Sequence, residues 1–237
     1  MTRFKLTAIA VSALFLAACN DDDDPQVMEM EEMMEEVVPV TTTYEVTVQN
    51  ITYGQPLSPI AAVLHDEGQL WMVGESASES LEKLAEAGDA SDLIALPVVL
   101  ASAQSEGVVM PGTSTTFSIS IDDNAMSNLS LASMLVNTND AFTGLNKISL
   151  ANLEVGASWS SFVGVYDAGT ESNSEVTGTI PGPADGGTGF DMERDDTDFV
   201  SMHPGVVTRD DGLMTSVLTQ AHKFDQPVAY VTITRTE

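Results

Sequence analysis

Strict alternation of apolar and polar residues marks both ends of the globular part of the chain. In "TYEVTVQN" (43–50), Tyr44, Val46 and Val48 fall on one face and polar side chains fall on the other. The closing "VAYVTITR" (228–235) alternates in the same way. A period of two residues is that of a half-buried β-strand. The pattern therefore predicts a strand at each end of this region.

Further strand candidates lie between these ends, separated by Gly, Pro, Asn and Asp. They are "LSPIAAVLHDEGQLWMV", "LPVVLASAQ", "VVMPGTSTTFSISI", "LSLASMLVNTND", "FTGLNKISL" and "WSSFVGVYDAG". Many short strands with this spacing are typical of sandwiches. We therefore predict an all-β fold, an antiparallel β-sandwich with one or two short helices in its connections. Trp71 and Trp159 are predicted core residues, with an exposed platform for sugars as the alternative.

One connection has a helical pattern. In "GESASESLEKLAEAGD", Ser76 and Glu79 form a predicted capping box, apolar residues then recur at helical spacing, and Gly88 supplies a stop. A weaker helix is predicted within 212–224. The segment 181–198 is rich in Gly, Pro and Asp, which predicts a long acidic loop. Its Asp-rich run "DMERDDTDF" is either solvated or holds a weak second cation.

The N-terminus has the features of an export signal. Arg3 and Lys5 precede a mostly apolar run that is too short to cross a bilayer as a mature helix. The run ends in "LAAC", which looks like a bacterial lipobox with Cys19 as the lipid attachment site. We predict a lipoprotein signal peptide over 1–18. An ordinary signal peptide followed by an incidental cysteine is the alternative.

Lipidation would hold the protein to a membrane by acyl chains. Cys19 is the only cysteine, so no disulfide is expected. Asn20 follows it, rather than the Asp that often retains lipoproteins at the inner membrane, which favours the outer membrane of a cell envelope, facing the periplasm or the surface. Runs of like charge remain extended. Residues 19–42 are therefore predicted to be an acidic disordered tether, and 43–237 the sandwich domain.

Composition and motifs argue against several functions. The formal net charge is −28, and nucleic acid binding needs a basic surface, so no nucleic acid partner is expected. His65, His203 and His222 lack zinc-ligand spacing. The chain contains neither a P-loop nor a G-x-S-x-G nucleophile elbow. We therefore predict no catalytic residues and no enzymatic activity.

Several segments together resemble the spondin domain, which occurs in extracellular-matrix F-spondins and in bacterial exported proteins. They are "VTVQNITYGQPLSPIAAVLHDEGQLWMVGESASESLEKLAEAGD", "LSLASMLVNTNDAFTGLNKISL", "YDAGTES" and "DDGLMTSVLTQAHKFDQPVAYVTITR". The resemblance covers nearly all of 43–237. It implies a C2-like sandwich with one calcium ion held between loops by Asp140, Asp167 and Glu171. Glu171 stands where animal members have Asp, and "NTNDAF" (137–142) lacks their flanking Pro and Trp.

The residue types agree with a calcium site but do not require one. Calcium is bound by six to eight oxygen ligands, which loops supply as carboxylates and carbonyls. "DAGTE" (167–171) offers two carboxylates around Gly169, which allows a sharp turn. A solvated turn without an ion is the alternative.

These features together predict a calcium-binding adhesion or interaction module, exported and lipid-anchored in the cell envelope. Its partner would be a periplasmic or extracellular protein or a polysaccharide. The alternatives are a hydrolase of envelope polysaccharides that uses acids of 181–198, and a purely structural envelope lipoprotein.

Overall fold

The computed structural model describes residues 41–122 and 128–237, which form an all-β sandwich as predicted. Its ten strands pair antiparallel in two sheets. The predicted signal peptide, Cys19 and all of the predicted tether except Thr41 and Thr42 lie outside the described residues. Those two residues begin the first strand.

The first sheet has four strands in the order β4-β1-β10-β7. These are β1 (Thr41–Asn50), β4 (Ser114–Asp122), β7 (Ser158–Val163) and β10 (Ala229–Arg235). The predicted alternation of β1 is confirmed, because Tyr44, Val46 and Val48 are buried while Glu45 and Gln49 are exposed. One face of this sheet is therefore apolar and the other polar.

The second sheet has six strands in the order β3-β2-β5-β6-β8-β9. These are β2 (Ala61–His65), β3 (Val99–Gln104), β5 (Asn128–Met134), β6 (Ala141–Ser149), β8 (Val165–Asp167) and β9 (Ser201–Met202). The strand predicted within "WSSFVGVYDAG" divides at Gly164 into β7 and β8. The chain therefore crosses between the sheets at this glycine.

The main core fills the space between the sheets. Both sheets contribute fully buried aliphatic side chains, among them Val46, Leu64, Leu129, Val165, Val231 and Ile233. Burying each such side chain contributes about 1.5–3 kcal/mol to folding. Trp159 packs, partly buried, against this core. The inner faces of the sheets thus stabilise the sandwich.

A second apolar cluster covers the outer face of the six-stranded sheet. The helix α1 (Glu79–Ala87) packs Leu81 and Leu84 there, together with Trp71. The predicted capping residue was wrong, since the N-cap is Ser78, whose Oγ accepts a hydrogen bond from the Leu81 backbone N–H at 3.3 Å. Gly88 ends the helix in the left-handed conformation, as predicted. A second short helix, α2 (Ser91–Ile94), follows.

The helix predicted within 212–224 was wrong. Only a 3₁₀ turn at Gln220–His222 forms there. Ser216 Oγ accepts a hydrogen bond from the Leu218 backbone N–H at 3.1 Å, a local contact that competes with helical bonding. The predicted acidic loop over 181–198 is irregular, as expected. In the two described ranges, no helix has the length and apolarity needed to cross a membrane.

Candidate functional site

The three predicted ligands lie at one end of the six-stranded sheet. Asp140 immediately precedes β6, and Asp167 is the last residue of β8. Because Ala141 pairs with Asp167 in the sheet register, Asp140 and Asp167 lie at the adjoining ends of neighbouring strands. Glu171 follows in the turn after β8. Strand pairing therefore brings together residues separated along the chain.

Asp140 is fully buried against this turn. Its Oδ2 accepts hydrogen bonds from the backbone N–H groups of Thr170 and Glu171, at 2.8 and 3.2 Å. Its Oδ1 is buried and has no hydrogen-bond partner. A buried polar atom without a partner is costly, which makes Oδ1 a free acceptor at the centre of the site.

Burial, with a further contribution from the nearby charge of Asp167, raises the pKa of Asp140 to about 7. The N–H groups of Thr170 and Glu171 act in the opposite direction, since they stabilise the ionised form. The ionised Asp140 is therefore stabilised by two N–H groups but penalised by desolvation and by a second carboxylate. A bound cation would remove both penalties.

Asp167 is held by a chain of hydrogen bonds. Its Oδ1 accepts from the Gly169 backbone N–H at 2.8 Å, and its Oδ2 accepts from Asn173 Nδ2 at 2.6 Å. His203 Nδ1 accepts from the Gly205 N–H at 2.9 Å, so the neutral ring carries its proton on Nε2, which lies 3.1 Å from Asn173 Oδ1. Burial lowers the pKa of His203, which favours this neutral form.

The side chain of Glu171 faces a different set of groups. Its Oε1 accepts a hydrogen bond from Asn139 Nδ2 at 3.0 Å. Burial, with smaller contributions from the charges of Glu86, Asp195 and Asp191, raises the pKa of Glu171 to about 7. The Glu171 backbone N–H thus donates to the Asp140 carboxylate. The acidic neighbours that raise the pKa of Glu171 differ from those that raise the pKa of Asp140.

A later loop covers the turn and adds an acid that the sequence did not indicate. The backbone N–H groups of Asp195 and Asp198 donate to the carbonyls of Thr170 and Gly169, at 3.1 and 2.8 Å. Asp196 lies between them and is exposed. Its pKa is raised by desolvation and by the charge of Asp167. Asp196 has no motif that could have assigned it to this site, because it lies within an acidic run.

The site has one feature that argues against a metal ion and two that agree with one. Within 41–122 and 128–237, no three His, Cys, Asp or Glu side chains are grouped so that they could hold a metal ion. In these same ranges neither Lys nor Arg forms an ion pair with Asp140, Asp167 or Glu171. Asp140 Oδ1 lies near the charge of Asp167 and has no hydrogen-bond partner. It therefore suits a hard cation, which prefers oxygen ligands.

The loop contact leads to a testable expectation for Gly169→Ala. Gly169 has φ +70°, and a Cβ there would overlap the carbonyl oxygen of Phe199 and lie 2.8 Å from its amide nitrogen. We expect backbone strain and overpacking together to lower the free energy of unfolding by roughly 2–5 kcal/mol. Urea denaturation measures this loss.

Gly186→Ala is the matched control. Gly186 has φ +69°, but no heavy atom lies within 4 Å of a Cβ built there. Only the strain remains, so the expected loss is about 1–2 kcal/mol. Equal losses in the two variants would contradict close packing of the 195–199 loop on the turn.

The geometry of the site thus combines a desolvated aspartate, a second aspartate on the neighbouring strand and a tightly packed turn. Comparisons with known proteins add no independent assignment. No family model matches the chain, and no curated protein matches it either.

Proposed function

We propose that this protein is an exported interaction module, anchored in the cell envelope by a lipid on Cys19 and stabilised by one calcium ion. Its domain is proposed to be spondin-like, on the resemblance of its segments. One observation supports the proposed ion most directly. Asp140 Oδ1 is buried without a hydrogen-bond partner, beside the charge of Asp167.

Electrostatics supports a cation at this position. A buried carboxylate without a basic partner is costly, and a second carboxylate increases the cost. Calcium supplies two positive charges that neutralise the pair, and its binding free energy adds to the stability of the fold. Asp140 and Asp167 would hold the ion, with Glu171 and Asp196 as further carboxylates on the same turn and its covering loop.

Burial favours an ion-binding role over catalysis for these acids. A catalytic acid or base must come within hydrogen-bonding distance of its substrate. Asp140 is 0% exposed and Asp167 is 4% exposed. The raised pKa of Asp140 therefore belongs to a group that solvent and substrates do not reach in this conformation. An interaction module is the function that agrees best with such a site.

Calcium titration of the full chain in mild detergent tests the proposal. By isothermal calorimetry we expect one bound ion, and Asp167→Asn should weaken binding by at least about tenfold because a charged ligand is lost. Glu193→Gln, at an exposed acid of the same loop region, is the control and should bind as wild type does. Absence of binding by wild type, or equal weakening in both variants, would contradict the calcium site.

A further inference from the structure

The outer face of the four-stranded sheet carries an ordered array of hydroxyl groups. Thr116, Thr47, Thr232 and Ser160 are aligned in register across β4, β1, β10 and β7. Thr47 Oγ1 lies 2.9 Å from Thr116 Oγ1, and Ser160 Oγ lies 3.1 Å from Thr232 Oγ1. Four adjacent strands thus present one continuous row of hydroxyls.

Hydroxyl pairs also occur in other rows of this face, although exposed Glu45 pairs in register with Thr234 and interrupts the adjacent row. Ser158 Oγ lies 2.8 Å from Thr234 Oγ1, and Thr43 Oγ1 lies 3.0 Å from Ser120 Oγ. Each hydroxyl has one donor and two lone pairs, so a hydrogen-bonded pair retains a donor and several lone pairs for a ligand. Threonine is stiff at χ1, and the cross-strand bonds further fix these side chains. Little conformational entropy would be lost on binding.

An aromatic pair with one exposed ring and one half-buried ring lies at one end of the array. Phe162 pairs in register with Tyr230, and their ring centroids are 4.8 Å apart. Phe162 is 63% exposed, although a large apolar side chain gains free energy by being covered. Gln49 pairs in register with Tyr230 and adds an exposed amide to the same row. The face therefore combines hydrogen-bonding groups with apolar rings.

This face also carries little charge for so acidic a protein. The four strands together contain Glu45, Asp122 and Arg235 as their charged residues. By contrast, the segments 66–92 and 185–198 contain fourteen acidic and two basic residues. A basic partner would be attracted to those segments, whereas a strongly anionic ligand would be repelled by the net charge of −28.

We propose that the outer face of the four-stranded sheet binds an uncharged polysaccharide. The hydroxyl rows would exchange hydrogen bonds with sugar hydroxyls, and Phe162 and Tyr230 would pack against the C–H faces of sugar rings. Strands lie about 4.8 Å apart and alternate residues about 7 Å apart, so the array is roughly 14 Å across the strands and about as long along them. That area accommodates several sugar rings.

This proposal rests on the interaction role proposed above, but not on its calcium site. The hydroxyl array lies on the first sheet, whereas Asp140 and Asp167 lie on the second. A failure of one proposal can therefore be distinguished from a failure of the other. Glycan binding should persist in chelator at temperatures where the apo protein remains folded.

Affinity electrophoresis of the full chain in mild detergent tests the inference. The gels contain a soluble neutral β-glucan, a neutral galactomannan, dextran or the anionic polysaccharide alginate. We expect at least one neutral polysaccharide, but not alginate, to retard wild type. Phe162→Ala should weaken retardation by about tenfold because it removes the exposed ring. Thr232→Glu should abolish it by placing a charge in the central row.

Met192→Ala is the control, since it removes an 85% exposed apolar side chain from the acidic loop and should leave retardation unchanged. Circular dichroism verifies that each variant is folded. The proposal is overturned if no neutral polysaccharide retards wild type, or if folded Phe162→Ala is retarded as strongly as wild type. Sedimentation showing that wild type dimerises and Phe162→Ala does not, without retardation by glycans, would assign the face to a second copy of the chain instead.

Discussion

Saturating calcium is expected to raise the melting temperature of the wild-type protein by roughly 10 °C over its value in chelator. A ligand present at a thousand times its dissociation constant adds about 4 kcal/mol of stability. In a domain of this size, each kcal/mol shifts the melting temperature by about 2–4 °C. Differential scanning calorimetry with calcium and with EDTA measures the shift.

Substitution of a proposed ligand should reduce this response. Asp167→Asn keeps an oxygen that can accept from the Gly169 N–H but loses the charge that attracts the ion. A tenfold loss of affinity removes about 1.4 kcal/mol of this stabilisation, so we expect its calcium-dependent shift to be smaller than that of wild type by about 3–6 °C or more. Glu193→Gln should respond as wild type does. Identical melting curves for wild type in the two conditions would exclude a stabilising calcium ion.

The fold was largely predictable because its strands carry their own local signal. In β1, Tyr44, Val46 and Val48 alternate with polar residues, and the sheet buries the side that this pattern indicates. The start of α1 was less predictable, since Ser76 and Ser78 are both good capping residues. Ser76 Oγ instead donates to the Asp198 carbonyl at 2.8 Å, a contact with a distant loop. Tertiary contacts of this kind are absent from local sequence patterns.

The site was only partly predictable, for the same reason. The resemblance indicated Asp140, Asp167 and Glu171, but Asn173 and His203 belong to no motif. Asn173 Nδ2 contacts Asp167 Oδ2 because the chain turns back after β8, and the His203 ring reaches Asn173 from beyond the long acidic loop. Such contacts depend on how the loops fold over the sheet. That arrangement cannot be inferred from the spacing of residues along the sequence.

The calcium-free protein should become less stable as the pH rises from about 4 to about 7. The pKa of Asp140 is about 7 in the folded state, against 3.8 as its usual value. Between these values the folded state binds more protons than the unfolded state, so stability falls as the pH rises, by up to about 1.4 kcal/mol per pH unit. Glu171, whose pKa is also raised to about 7, acts in the same direction, but water partly screens it.

His203 opposes this trend. Its pKa is lowered by burial, so its contribution to stability is lost as the pH falls below about 6.5 and is regained as the pH rises. Asp140→Asn isolates the aspartate, because the amide does not titrate while His203 and Glu171 remain. The charges of Asp167 and Asp196, which act on Asp140, also remain in the variant.

Urea denaturation in EDTA at intervals from pH 4.5 to 9.5 measures the difference between wild type and Asp140→Asn. We expect wild type to lose a few kcal/mol relative to the variant across this range, and the two curves to run parallel above pH 8, where Asp140 is ionised in both the folded and unfolded states. Parallel curves over the whole range would show that Asp140 titrates normally. Calcium should cancel the loss in wild type, because the ion binds the ionised carboxylate and competes with the proton. In the proposed site, protonation at low pH and calcium binding at high pH would each remove the desolvation cost of the ionised Asp140.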